Sequence, residues 1–177
     1  GVAGSTENST AVCMGDYNND GLSDIFVSNA GGGSQLYMNN GTTFSEVAAS
    51  IGVAGSPTDM NYGCLFGDMD NNGTLDLYIV NNNNQNRLFL NKGDGTFAQA
   101  SAGVGVGGTS SGNLSAVAFD RNNDCDLDLF VTNSMVGNNS YFENLDNNTN
   151  FVKVIAMGTD STRDAVGGDV AMGGVMG

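Results

Sequence analysis

"GDYNNDGLSDIFVSN" occupies residues 15–29 and joins an acidic, asparagine-rich loop directly to an apolar run. Oxygen-bearing side chains stand two residues apart at Asp16, Asn18 and Asp20 and again at Asp24, and aromatic and β-branched residues dominate the run that follows. Asp, Asn and Gly favour tight turns, whereas aromatic and β-branched residues favour strands. The stretch therefore predicts a tight turn that leads into a buried β-strand.

The same stretch occurs three times along the chain. "GDMDNNGTLDLYIVN" (67–81) and "FDRNNDCDLDLFVTN" (119–133) repeat it. The leading aspartates Asp16, Asp68 and Asp120 are each 52 residues from the next. A fixed period of this length is typical of solenoids, propellers and other repeat architectures.

A second motif follows each acidic loop at a similar distance. Its three copies are "QLYMNNGTTF" (35–44), "RLFLNKGDGTF" (87–97) and "SYFENLDNNTNF" (140–151). The two motifs together predict four segments: repeats at 1–51, 52–102 and 103–153, and a tail at 154–177.

Each repeat contains four short β-like runs. In the second repeat they are Tyr62–Phe66, Leu75–Val80, Arg87–Leu90 and Thr96–Ala100. Glycine between the last two runs indicates a hairpin, and only "FSEVAASIG" (44–52) is compatible with one helical turn. Four antiparallel strands are the content of one propeller blade. We therefore predict an all-β fold of four-stranded antiparallel blades of β-propeller type. Since propellers close with about four to eight blades, three repeats predict a propeller that is either incomplete or completed by assembly.

The composition excludes several functional classes. The chain has 19 acidic and five basic residues and a net charge of −14, which disfavours nucleic acid and anionic membranes as partners. It contains no apolar run long enough for membrane insertion, and it lacks the features of a signal peptide, so we interpret it as a mature or excised segment. Histidine is absent, which excludes Ser-His-Asp and Cys-His catalysis and the commonest zinc ligand. We expect no enzymatic activity.

Three weaker signals are the cysteines, the glycosylation motifs and a glycine-rich run. Cys13, Cys64 and Cys125 form either one disulfide with a free thiol or three buried thiols, and the apolar surroundings of the first two favour the second alternative. N-x-[ST] motifs begin at Asn8, Asn40, Asn72, Asn113, Asn138 and Asn147. Asn72 lies in an acidic loop and is expected to bind metal instead, and some of the others would carry glycans if the chain were secreted in a suitable host. "GVGVGG" (103–108) lies in no βαβ context and predicts no dinucleotide site.

The acidic loops predict metal sites. Counted from the leading aspartate, positions 1, 3, 5 and 9 are Asp16, Asn18, Asp20 and Asp24; Asp68, Asp70, Asn72 and Asp76; and Asp120, Asn122, Asp124 and Asp128. Position 7 would offer a backbone carbonyl from Leu22, Thr74 and Asp126. A hard cation such as Ca²⁺ takes about six to eight oxygen ligands. We expect about three Ca²⁺ ions per chain.

The loops differ from an EF-hand, and the third loop differs from the other two. An EF-hand requires a glutamate at position 12, but that position is Val27, Ile79 and Val131, inside the predicted strands. The loops are therefore not EF-hands. In addition, Cys125 replaces the glycine of position 6. If that position requires a positive φ, a side chain there costs about 1–2 kcal/mol, so we expect a weaker or differently shaped third site.

The loop pattern D-x-[DN]-x-[DN]-G-x-x-D before an apolar strand, with its recurring hairpin, resembles the FG-GAP (or VCBS) repeats of integrin-α-type propellers. The resemblance implies Ca²⁺ in the loop of each blade and an extracellular location. The segment "FVKVIAMGTDSTRDAVGGDV" (151–170) resembles the beginning of an ASPIC/UnbV domain. Its matching residues are Gly158, Ser161, Arg163, Asp164, Ala165, Gly167 and Val170, whereas Thr162 replaces the usual asparagine.

These observations lead to one expectation and two alternatives. We expect a secreted or cell-surface Ca²⁺-binding module with a structural or adhesive role, whose partners are further repeats, surface proteins or glycans. The first alternative is a subunit of a self-assembling filament, in which an apolar tail beginning "FVKVIAM" (151–157) completes a neighbouring sheet edge. The second is a carbohydrate-binding or enzyme-associated propeller.

Overall fold

A computed structural model describes residues 8–100, 105–108, 111–134 and 138–145. Every regular element in these residues is a β-strand, and the strands form three antiparallel sheets, which we call blades 1 to 3. The prediction of an all-β fold built from antiparallel blades is confirmed.

The strands follow one another in chain order. Blade 1 contains β1 (Ser9–Gly15), β2 (Asp24–Asn29), β3 (Gln35–Asn39) and β4 (Phe44–Glu46). Blade 2 contains β5 (Asn61–Gly67), β6 (Asp76–Asn81), β7 (Arg87–Asn91) and β8 (Phe97–Gln99). Blade 3 contains β9 (Asn113–Phe119), β10 (Asp128–Asn133) and β11 (Ser140–Phe142).

Two sequence predictions concern segments at the edges of the blades: the possible helical turn at 44–52, and the third hairpin motif with the tail. The segment 44–52 forms β4 and then a single hydrogen-bonded turn, in which the Ile51 N–H donates to the Val47 carbonyl at 3.2 Å. The rest of the third hairpin motif beyond Leu145, and the tail with its ASPIC/UnbV-like pattern, lie outside the described residues.

The strand register repeats with the sequence. Val12 pairs with Val27, Cys64 with Ile79 and Ala116 with Val131, so that equivalent residues pair in each blade. A shift of one residue would turn the buried side chains to the opposite face. The period of 52 residues in the sequence is therefore a period in the structure.

Two apolar clusters hold the blades together, and β6 contributes to both. Leu77 and Ile79 belong to the cluster between blades 1 and 2, whereas Tyr78 and Val80 belong to the cluster between blades 2 and 3. Successive side chains of a strand point to opposite faces, so a central blade needs apolar residues at every position. All six residues of β6 are buried.

The outer faces of blades 1 and 3 expose apolar side chains. Val12 and Met14 of β1 are 62% and 63% exposed, and Val117 and Phe119 of β9 are 53% and 37% exposed. In blade 2 the residues equivalent to Val12 and Met14, Cys64 and Phe66, pack against the cluster between blades 1 and 2. We call these surfaces the β1 end face and the β9 end face.

Asparagine has a structural role that the sequence reading missed. The strand-end residues Asn29, Asn61, Asn81 and Asn113 are fully buried. Asn81 Nδ2 donates to Asn61 Oδ1 at 2.9 Å, and Asn113 Nδ2 donates to the Asn81 carbonyl at 3.0 Å. The first bond pairs two buried amides within blade 2, whereas the second gives a backbone carbonyl of blade 2 a partner from blade 3. Burial of these groups without a partner would be costly. The burial of Asn113 also makes its glycosylation motif inaccessible in the folded chain.

All three cysteines are free thiols, as the favoured alternative requires, but each is half-buried and none is fully buried. Cys13 and Cys64 pack against the cluster between blades 1 and 2. Their mutual hydrogen bond, together with burial, raises the pKa of Cys13 above its ordinary value. These two residues act as small apolar side chains in the core.

Candidate metal centre

The three acidic loops occupy equivalent places, each in the turn between the first two strands of a blade. We call them loop 1 (16–24), loop 2 (68–76) and loop 3 (120–128). The last residue of each loop is also the first residue of the second strand, and these three residues, Asp24, Asp76 and Asp128, are fully buried. All three loops therefore lie at the same end of the blades.

The leading aspartate of each loop organises the backbone around itself. Asp16 accepts hydrogen bonds from the Asp20 and Gly21 N–H groups at 3.0 and 2.8 Å. In loop 2, Asp68 accepts from the Asn72 and Gly73 N–H groups at 3.0 and 2.9 Å. In loop 3 the equivalent acceptor, Asp120, binds the backbone N–H groups of residues 123 and 125 at 2.7 and 3.1 Å.

Position 6 of every loop has a positive φ. The value is 85° at Gly21, 87° at Gly73 and 73° at Cys125. Position 6 therefore requires a positive φ, and in loop 3 a residue with a Cβ, Cys125, occupies this left-handed conformation. Such a conformation costs about 1–2 kcal/mol for an ordinary residue.

The final aspartate ties the beginning of the loop to the end of the third strand. Asp76 accepts from the Met69 and Asn91 N–H groups, both at 2.8 Å. Asp24 and Asp128 make the same pair of bonds in their own blades, with Tyr17 and Asn39 and with Arg121 and Asn144 respectively.

The side chains at positions 3 and 5 contact each other in each loop. The amide Nδ2 donates to the neighbouring carboxylate at 2.9 Å in loop 1, 3.1 Å in loop 2 and 2.6 Å in loop 3. The position 7 backbone closes the turn, since the N–H groups of Leu22, Thr74 and Asp126 donate to the position 5 side chain at 2.8, 2.8 and 3.0 Å.

Loop 2 has the donor set that best fits a metal ion. Oxygens of Asp68, Asp70 and Asp76 lie within 4.8 Å of one another. Two ligands of one Ca²⁺ ion lie at most about 5 Å apart, because each Ca–O distance is about 2.3–2.6 Å. Among the described residues this is the only group of three such acidic or cysteine side chains. In loops 1 and 3 an amide, Asn18 or Asn122, stands at position 3.

The electrostatics of loop 2 favour a cation. Burial raises the pKa of Asp76 to about 6, and the charges of Asp70 and Asp68 act in the same direction. Burial likewise raises the pKa of Asp24 in loop 1, with smaller contributions from Asp20 and Asp16. A divalent ion among these carboxylates would compensate both the burial and the repulsion.

Loop 3 already contains a cation of its own. Arg121 stands at position 2, where loops 1 and 2 have Tyr17 and Met69, and forms an ion pair with Glu143 at 3.2 Å. The Tyr141 hydroxyl donates to Asp128 Oδ2 at 2.9 Å. Burial alone would raise the pKa of Asp128, but the hydrogen bonds it accepts and the charge of Arg121 lower it overall.

The sequence reading missed the asparagines at the end of the third strand or, in blade 3, just after it. Asn39, Asn91 and Asn144 each donate a backbone N–H to the final aspartate of their own loop. The signal was present in the sequence, since each hairpin motif carries an asparagine at or near this place. Their side-chain partners lie in other parts of the fold, however, and a sequence pattern does not identify them.

A polar cleft of about 540 Å³ lies at the opposite end of blade 2 from the loops. Asp59 and Arg87 line it and form an ion pair at 2.6 Å, which is largely buried. The cleft shares no residue with the three loops.

Repeated antiparallel blades with an acidic loop between the first two strands define a β-repeat protein. The family model for FG-GAP-like repeats matches residues 16–79 and 68–131, so that each match runs from one loop into the second strand of the next blade. The chain belongs to the FG-GAP-like repeat family. Repeats of this family are typical of extracellular and surface proteins. No curated protein shows a significant match, and in the described part of the chain no helix is long and apolar enough to cross a bilayer.

Proposed function

We propose that the chain is an extracellular Ca²⁺-binding β-repeat module with a structural or adhesive role and no enzymatic activity. The observation that carries the proposal is the convergence of the Asp68, Asp70 and Asp76 oxygens within 4.8 Å in loop 2. The repetition of the same hydrogen-bonded turn in loops 1 and 3 supports a total of about three ions per chain.

Calcium would stabilise the blades rather than perform chemistry. The ion would be held by side-chain oxygens at positions 1, 3, 5 and 9 and by the position 7 carbonyl. These groups come from the end of the first strand, the turn and the beginning of the second strand. An ion that binds only the folded state raises the free energy of unfolding by about 2.7 kcal/mol at a hundredfold excess over Kd.

The proposal is tested by thermal unfolding with Ca²⁺ and with a chelator. We expect a lower melting temperature in chelator for the wild-type chain, and a smaller difference for Asp68→Ala, which loses a ligand of loop 2. Asp94→Ala is the matched control, because Asp94 lies outside the loops, in the β7–β8 hairpin, where it accepts hydrogen bonds from Thr96. A wild-type melting temperature that is indifferent to both additives would refute the proposal.

A second candidate function is self-assembly into a filament, and the two end faces favour it. The β1 end face exposes Val12 and Met14, and the β9 end face exposes Val117 and Phe119. Equivalent positions in blade 2 are covered by a neighbouring blade. A second copy that placed its blade 1 against blade 3 would continue the same packing. The contact would be heterologous, and such contacts give rings or open fibres.

A further inference from the structure

The three loops are joined to one another across the blade boundaries. At the first boundary, Asn91 Nδ2 of blade 2 donates to the Tyr17 carbonyl of loop 1 at 2.7 Å. At the second, Asn144 Nδ2 of blade 3 donates to the Met69 carbonyl of loop 2 at 2.8 Å. Both carbonyls belong to position 2 of a loop, next to its leading aspartate. The same contact therefore occurs twice.

Asn91 also holds the loop of its own blade. Its N–H donates to Asp76 Oδ1 at 2.8 Å, and its Nδ2 donates to the Leu75 carbonyl at 3.0 Å. Its carbonyl accepts from Asn72 Nδ2 at 3.2 Å. Asn91 is 2% exposed. A single buried residue thus contacts positions 5, 8 and 9 of loop 2 and position 2 of loop 1.

A second set of contacts runs in the opposite direction. Asn19 Nδ2 donates to the Gly73 carbonyl at 3.4 Å, and Asn71 Nδ2 donates to Asp126 Oδ1 at 2.5 Å. Both donors occupy position 4, with φ values of 57° and 55°. Loops 1 and 2 therefore each reach the next loop through their own position 4 side chain.

We propose that Ca²⁺ binding is coupled between adjacent loops, and that Asn91 and Asn144 are the positioning residues that couple them. This inference rests on the proposed Ca²⁺ sites. Ordering loop 2 around an ion fixes Asn91 through Asp76 and Asn72, and a fixed Asn91 holds the loop 1 backbone beside Asp16 in its binding conformation. By linkage, an ion in loop 1 must favour binding in loop 2 by the same factor.

The test is a Ca²⁺ titration of ¹⁵N-labelled protein followed by NMR. The Gly21 N–H donates to Asp16 and the Gly73 N–H donates to Asp68, so each amide reports its own loop. Asp70→Ala removes a loop 2 ligand from the turn. We expect it to weaken binding at Gly21 by about fivefold or more, the lower range of typical couplings between sites. In the double variant Asn91→Ala/Asp70→Ala, we expect Ca²⁺ binding at Gly21 to be no weaker than in Asn91→Ala alone.

Asn39→Ala is the matched control. Asn39 makes the equivalent bonds within blade 1, to Asp24 at 2.7 Å and to the Ser23 carbonyl at 3.1 Å, and the described residues place no loop on its other side. We expect Asn39→Ala to weaken Ca²⁺ binding at Gly21 directly. Its effect on binding at Gly73 should be smaller than the effect of Asn91→Ala on binding at Gly21. If Asn91→Ala does not fold, Asn144→Ala tests the same coupling at the second boundary, through the Ca²⁺ affinity measured at Gly73.

The outcomes distinguish the coupling between loops from the proposed Ca²⁺ sites themselves. Ca²⁺-dependent shifts at Gly21 with the same affinity in the wild type and in Asp70→Ala would overturn the coupling and leave the proposed sites intact. The absence of any shift at Gly21 and Gly73 at millimolar Ca²⁺ would refute the sites, and the coupling with them.

Discussion

At the scale of single residues, position 6 distinguishes the three loops most clearly. Gly21 and Gly73 adopt φ values of 85° and 87°, and a Cβ added at either would meet no atom within 4 Å. The requirement at this position is therefore one of backbone conformation and not of space. Cys125 meets the same requirement at 73° with a side chain.

We predict that Cys125→Gly stabilises the chain by about 1 kcal/mol, because it relieves the left-handed conformation of a residue with a Cβ. Gly73→Cys is the reciprocal change in loop 2 and should destabilise by a similar amount. Urea unfolding in the presence of a reductant measures both. If Cys125→Gly left the free energy of unfolding unchanged or lowered it, the conformational explanation of the third loop would be wrong.

The buried carboxylates predict a dependence of stability on pH. Because burial raises the pKa of Asp76 to about 6 in the folded chain, the unfolded chain ionises first as the pH rises. In chelator, the contribution of Asp76 to the free energy of unfolding is therefore greatest at or below about pH 4 and is lost as the pH rises to about 6. Bound Ca²⁺ should reverse this trend, because it stabilises the ionised carboxylate.

Unfolding at several pH values in chelator measures this effect. Asp76→Asn should remove the loss of stability between about pH 4 and 6. Asp128→Asn should act in the opposite sense, because the folded-state pKa of Asp128 is lowered and ionisation there favours folding. Identical pH profiles for wild type and Asp76→Asn would contradict the assignment.

At the scale of the strands, the sequence predicted the positions of the elements well and their ends less well. The runs Tyr62–Phe66 and Leu75–Val80 were identified by their apolar residues, whereas β5 is Asn61–Gly67 and β6 is Asp76–Asn81. The polar residues at these strand ends are buried and hydrogen-bonded, Asn61 to other side chains and Asp76 and Asn81 to backbone N–H groups. Hydropathy patterns contain no information about such partners.

Strands β5 and β9 approach each other closely at Gly63. A Cβ on Gly63 would lie 3.2 Å from both the Leu114 carbonyl and Ser115 Cα of β9. Gly63→Val should therefore separate blades 2 and 3 and destabilise by about 1–3 kcal/mol, as overpacking does. Ser115→Val, at the equivalent and exposed position of β9, should change stability by no more than about 0.5 kcal/mol in chemical unfolding. Equal effects of the two substitutions would contradict the packing described for β5.

At the scale of the whole molecule, the number of blades decides which apolar surfaces are covered. The sequence showed three repeats, but the exposure of Val12 and Val117 follows only from where the blades stand. Blade 2 is covered on both faces by its neighbours, whereas blades 1 and 3 are each covered on one face in the described structure. The prediction of self-assembly through the two end faces therefore depends on how the blades pack and not on the repeat pattern alone.

If the end faces mediate self-assembly, the chain should form concentration-dependent oligomers in sedimentation velocity. Met14→Asp and Val117→Asp should each reduce assembly, because each places a charge on one end face. A mixture of the two variants should form dimers and no longer species, since each variant retains one intact and complementary face. A wild-type chain that stays monomeric at every concentration would exclude this mode of assembly.

The proposed function depends above all on calcium binding by the repeated acidic loops. Isothermal titration calorimetry of the chelator-treated chain with Ca²⁺ at neutral pH tests it most directly, because it counts the ions as well as measuring their affinity. We predict about three ions per chain, with loop 3 the weakest because of Arg121 and Cys125. Loss of one ion in Asp68→Ala would assign the binding to the loops. No binding at millimolar Ca²⁺ would contradict the claim.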